Sequence, residues 1–263
     1  MRANTLKTLM DSGVVTINGW VSGDSPYLAE VLSYSGLDSV TIDLQHGMFG
    51  LDGAVRLIQA VSAGPAIPLA RCSELNPAQI GKLLDAGAYG IICPSVDTAE
   101  QAIALVTACT YPPQGSRSFG PSRGLLYGGP DYVAEAGSTI LVIAMIESAT
   151  ALANLEAIVA VPGLSGVYVG PNDLALSLGE APGEWPLSPR MLDAVTRIVA
   201  TAHAAGLKAG IFCGDGAIAR DCAELGYDLV TPANEAGILR QSVAERIEII
   251  RGFARSGGAT GGY

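Results

Sequence analysis

Eight short runs rich in apolar and β-branched residues recur along the chain, each separated from the next by a longer stretch with helical periodicity. They fall at residues 15–21, 39–44, 66–71, 89–93, 140–146, 166–169, 208–212 and 228–230. Several are almost continuously apolar, the pattern of strands covered on both faces. Strand and helix in alternation build βα units around a parallel sheet, and eight such units predict a closed (β/α)8 TIM barrel. An open doubly wound sheet is the rival, but no G-x-G-x-x-G follows a first strand, so a dinucleotide fold has little support.

Helix boundaries agree with the alternation. Asn76-Pro77 opens a helix that stops at Gly87, Thr98 with Gln101 opens the next, and Gly206 and Gly226 end two others. With 263 residues, 49% hydrophobic and 15% charged, the chain fills one large domain over residues 1–256, followed by a flexible Gly-rich tail at 257–263. A net charge of -10 argues against nucleic acid as a partner, which would demand clustered Lys and Arg. No apolar run has the length of a signal peptide or a membrane span, so a cytoplasmic protein without membrane contact is expected. Five cysteines without a C-x-x-C pair indicate neither a disulfide framework nor a zinc cluster.

Two connections exceed the usual length. Residues 111–138 carry Pro112-Pro113-Gln114-Gly115-Ser116-Arg117 and begin at the bottom of the barrel, whereas residues 179–189 are rich in Gly and Pro. Loops of this length are functional or mobile.

Residues just past the C-terminal ends of barrel strands meet at the catalytic mouth. His46 follows the second run, Arg71 ends the third, Glu147 ends the fifth and Asp173 follows the sixth. Each has a structural alternative: Arg71 pairing with Glu74, for example, or Asp173 capping a helix that starts near Leu174. Convergence of four such residues on one end of a barrel is what favours a site.

Two carboxylates on neighbouring strands, with no cysteine or second histidine nearby, suit a hard divalent cation such as Mg2+ or Mn2+ rather than structural zinc. A 2-oxo acid can fill the open positions of such a cation. Backbone N–H groups around Gly170-Pro171-Asn172-Asp173 at a helix start can hold its carboxylate, while the cation stabilises an enolate. Imine chemistry would need a lysine in the mouth. Lys7, Lys82 and Lys208 fall before the barrel, within a helix and at the start of a strand. Of the two histidines, His203 lies on a helix and reads as structural, which leaves His46 as the base. Asp43 is the acid nearest His46 in sequence, but residues three apart point to opposite sides of a strand, so contact between them requires the strand to have ended.

At these motifs the chain resembles the HpcH/HpaI family of metal-dependent class II 2-oxo acid aldolases, in the phosphoenolpyruvate/pyruvate barrel superfamily. The likeness rests on Asp43-Leu44-Gln45-His46-Gly47, Leu83-Leu84-Asp85-Ala86-Gly87, Tyr111-Pro112-Pro113-Gln114-Gly115-Ser116-Arg117, Ile146-Glu147-Ser148 and Val169-Gly170-Pro171-Asn172-Asp173-Leu174 with Ser177-Leu178-Gly179. The resemblance implies Glu147 and Asp173 as ligands of Mg2+, Mn2+ or Co2+, His46 as general base and Arg71 as the cation that stabilises the oxyanion. Asp85 matches an acid that raises the basicity of the histidine. Because Asp85 ends a helix at the barrel bottom, it would act across a subunit interface, in a homo-oligomer with C-terminal helices exchanged; the family's usual assembly is a hexamer, a trimer of dimers. Two positions depart from the family: many relatives have glutamate at Gln45 and glutamine at Met145.

The expected activity is reversible aldol cleavage of a 4-hydroxy-2-oxo acid to pyruvate or hydroxypyruvate and an aldehyde. Oxaloacetate decarboxylation, or lyase chemistry on an acyl-thioester, keeps the enolate and breaks another bond. A barrel kept only as a binding module would have no use for metal, base and cation positions together.

Overall fold

The computed structural model describes residues 1–183 and 185–257, with side chains to residue 252. Eight parallel strands pair in chain order: β1 (Thr16–Val21), β2 (Ser39–Asp43), β3 (Ile67–Arg71), β4 (Gly90–Cys93), β5 (Leu141–Ile146), β6 (Gly166–Val169), β7 (Lys208–Phe212) and β8 (Leu229–Thr231). Pairing of Thr16 with Leu229 closes the barrel. Every strand read from the sequence is present, with bounds within one residue.

Helices fill the connections: α1 (Thr5–Asp11) before β1, α2 (Pro26–Ser33), α3 (Leu51–Ala63), α4 (Pro77–Asp85) and α5 (Ala99–Cys109). The connection after α5 is not a simple loop but contains α6 (Ser122–Gly128) and α7 (Tyr132–Thr139). Then come α8 (Ala149–Ala153), α9 (Leu155–Val159), α10 (Pro171–Ser177), α11 (Pro189–Ala204), α12 (Gly216–Glu224) and α13 (Glu235–Gly257). Gly257, assigned to the tail from sequence, ends α13; the rest of the tail, 258–263, lies outside the described residues. Among the described residues no helix is long and apolar enough to cross a membrane.

The two-residue period of the strands sorts side chains between two cores. On β5, Val142, Ala144 and Ile146 face the helices, while Leu141, Ile143 and Met145 face the barrel interior. The interior cluster also holds Ile67, Leu69, Tyr89 and Tyr168, and α1 closes it from below with the fully buried Leu6 and Met10. Higher in the interior the filling becomes polar. Asn18 Nδ2 donates to Thr231 Oγ1 at 2.9 Å, Tyr168 Oη donates to the same oxygen at 2.6 Å, and Ser39 and Thr41 donate to Asn18 Oδ1. The same parity carries Asp43, Arg71 and Glu147 inward at the mouth.

Candidate active site

A cavity of about 460 Å³ opens at the C-terminal ends of the strands, bordered by Trp20, Asp43, His46, Arg71, Met145 and Asp173. Three of the four candidate residues from the sequence, His46, Arg71 and Asp173, thus line one cavity, and the fourth, Glu147, lies against Gly170 at its wall.

Asp43 organises one side. Its carboxylate meets Arg71 in a two-point pair, Nε to Oδ1 at 2.8 Å and Nη2 to Oδ2 at 2.6 Å, and accepts Trp20 Nε1 at 3.1 Å. It also accepts the backbone N–H groups of Gln45 and His46 at 3.0 and 3.3 Å, since β2 ends at Asp43 and the chain turns. Burial alone would raise the Asp43 carboxyl, but hydrogen bonds and charge from Arg71, with help from Trp20 and the His46 N–H, hold it below the usual value. Arg71 pairs with Asp43 and not with Glu74. Its Nε and Nη2 are committed there, its plane lies 4.8 Å over the Trp20 ring, and Nη1 is left to face the cavity. His46 stands exposed at the turn.

Glu147 is 7% exposed. Oε1 accepts the backbone N–H of Ser95 at 2.7 Å, which is aimed by a left-handed turn at φ 55°, whereas Oε2 is buried without a partner. Burial pushes the carboxyl up, the Ser95 N–H opposes this, the charge of Asp173 adds to the push and Arg71 opposes it weakly. A side chain at Gly170 would meet Oε2 at 2.6 Å, so glycine is what gives this oxygen room. Asp173 sits in the first turn of α10, whose N-cap is Gly170 with no side-chain cap; the capping role considered for Asp173 is not the one it plays. The first helix bond runs from Leu174 N to Gly170 O, and Pro171 has no N–H, which leaves those of Asn172 and Asp173 unclaimed.

A cation fits this donor set. An orphaned buried carboxylate oxygen and a second carboxylate that raises its pKa are what a hard cation relieves. Among the described residues no cluster of three or more His, Cys, Asp or Glu forms, so such a cation would keep open positions.

Asp85 does not join the mouth within this chain. It ends α4 at the opposite face and accepts Arg117 Nη2 at 2.8 Å. His203 bonds Asp228 at 2.8 Å on the outside of the barrel, as its helix position implied. None of the three lysines borders the cavity; Lys208, for example, donates to Met10 O at the bottom. Asp43 as organiser, Trp20 and Ser95 were not foreseen. Strand parity with Arg71 marks Asp43, but nothing in the sequence marks Ser95. Met145 is buried and lends the cavity a thioether wall, and Gln45 Oε1 is buried without a partner.

Fold and mouth together define a (β/α)8-barrel enzyme that carries acid, base and cationic side chains at its C-terminal face and no imine-forming lysine. Residues 17–241 match the family described as HpcH/HpaI aldolase/citrate lyase, and the chain belongs to that family. It is 40% identical over 246 residues to a hydroxypyruvate/pyruvate aldolase of Rhizorhabdus wittichii, covering 92% of this chain and 98% of that one. It is 40% identical over 208 residues to a 4-hydroxy-2-oxovalerate aldolase of Novosphingobium aromaticivorans, covering 78% and 79%. A crystal structure of an HpcH/HpaI aldolase/citrate lyase family protein from Burkholderia cenocepacia superposes with a TM-score of 0.87 at 31% identity, covering 95% and 100%.

Proposed function

We propose that the chain is a divalent-metal-dependent aldolase that reversibly cleaves 4-hydroxy-2-oxo acids to pyruvate or hydroxypyruvate and an aldehyde. The observation that carries this reading is Glu147 Oε2, buried without a partner beside Gly170 and within reach of the charge of Asp173. The names of the relatives favour the same reaction class.

Mg2+, Mn2+ or Co2+ held by Glu147 and Asp173 would supply Lewis-acid stabilisation of the charge that develops on the 2-oxo oxygen. The N–H groups of Asn172 and Asp173, at the helix start formed by Gly170 and Pro171, orient the substrate carboxylate. His46 takes the 4-hydroxyl proton, the C3–C4 bond breaks, and its electron pair passes to C3 as the aldehyde forms. Arg71 Nη1 faces the developing oxyanion, and Asp43 keeps the guanidinium from turning away. A proton returned to C3 completes pyruvate. This reading includes a homo-oligomer, a hexamer built as a trimer of dimers, in which Asp85 of one subunit supports His46 of another. Support comes from α13, which leaves Ile238, Leu239, Val243, Ile247, Ile249 and Ile250 exposed.

Exchange of the pyruvate C3 protons in deuterated water, followed by NMR, tests the enolate half-reaction without an aldehyde. Exchange that requires a divalent cation and disappears in Glu147→Gln is expected. Exchange at the uncatalysed rate with every cation overturns the reading.

A further inference from the structure

Beside the mouth lies a smaller and more enclosed cavity of about 120 Å³, roofed by the Gly- and Pro-rich connection between α10 and α11. Trp185, Leu187, Met191, Ile218 and the Cys213 and Cys222 thiols give it apolar walls. Among the described residues that line it, Glu180 alone is charged, and it is half-buried. The roof is fastened at both ends. Trp185 Nε1 donates to Asp221 Oδ2 at 3.2 Å, and Arg190 Nη1 donates to Leu178 O at 2.5 Å.

Pro171, Asn172 and Phe212 line this cavity and the mouth alike. Phe212, at the end of β7, is half-buried with its ring edge-on to Trp20 at 5.6 Å, so the partition there is one side chain thick. Elsewhere the mouth mixes the apolar Trp20, Met48 and Met145 with the polar Ser22, Asp43, Arg71 and Asn234. Past Phe212 a substituent meets walls that include the buried Met191, Ile211, Cys213 and Cys222. An apolar void of about 150 Å³ accepts benzene, so this one suits a branched or cyclic group of about four to six carbons.

We propose that this cavity receives the apolar substituent of the acceptor aldehyde and thereby sets which aldehydes the enzyme joins to pyruvate. The inference rests on the aldolase reading above. The aldehyde carbon stays at His46 and the donor, while its substituent passes between Phe212 and Pro171 into the side cavity. Each methylene buried there strengthens the transition state by roughly fourfold.

The test is condensation of pyruvate with acetaldehyde, butanal and 3-methylbutanal, compared by kcat/KM. The wild type should gain roughly fourfold per added methylene up to about five carbons. Ile218→Trp on α12 and Leu187→Trp in the roof both narrow the cavity and should cost 3-methylbutanal about tenfold or more while leaving acetaldehyde within about twofold, since several methylenes lose their contact. Ile218→Ala, which needs no extra room, should shift preference toward bulkier aldehydes. A wild-type profile flat with chain length, or variants that slow every aldehyde equally, overturns the proposal. Pyruvate C3 proton exchange separates the two failures. Exchange that persists beside a flat profile removes only the acceptor subsite, and its absence in the wild type removes the aldolase reading.

Discussion

The Asp43 carboxylate holds Arg71 side-on at 2.8 and 2.6 Å and, through the same Oδ1, accepts the N–H groups that turn the chain toward His46. One buried acid therefore fixes both the cation and the base of the proposed chemistry.

Replacing Asp43 with alanine leaves a buried guanidinium unpaired and should cost about 3–5 kcal/mol in stability, measured by urea unfolding at neutral pH. The pH dependence has a definite sign. The folded carboxyl titrates below the unfolded one, so its contribution is full above the ordinary carboxylate range and fades as pH falls through the lower folded value. The stability gap between wild type and Asp43→Asn should shrink on acidification below about pH 4. A gap constant down to pH 2 would contradict this.

At Gly170, alanine would put a methyl group 2.6 Å from Glu147 Oε2 and 3.2 Å from Met145 Cε. Divalent-cation affinity should fall about 10–100-fold, read as a smaller cation-induced rise in Tm, because the carboxylate must move. An unchanged response would show that Oε2 does not face the cation.

His46 is exposed at the turn and lies outside the buried core. His46→Ala should therefore lower turnover about 10²–10⁴-fold while Tm stays nearly constant. Turnover at the wild-type level would remove it as the base.

The exposed apolar residues of α13 predict an assembly that depends on them. Ile249→Glu with Ile250→Glu should lower the oligomeric mass in light scattering and reduce turnover, because Asp85 would no longer reach a neighbouring His46. A full-sized, fully active assembly would count against exchange of this helix.

The barrel was legible because eight runs buried on both faces leave an almost continuous apolar record, and parity then assigns Arg71 and Glu147 to the interior. Helices α6 and α7 escaped notice because their segment is broken by Gly and Pro and neither has a side-chain N-cap. The pairing of Asp43 with Arg71 depends on the register between β2 and β3, where the two lie directly opposite, and that register is a tertiary property. Ser95 was invisible for a similar reason: a positive φ at a serine is imposed by the surrounding fold.

Pyruvate release from a 4-hydroxy-2-oxo acid, measured before and after exhaustive removal of divalent cations, bears most directly on the proposed chemistry. Turnover should vanish on removal, return with Mg2+, Mn2+ or Co2+, and fail to return in Glu147→Gln. Cleavage that continues at the original rate without any divalent cation would contradict the role assigned to Glu147 and Asp173.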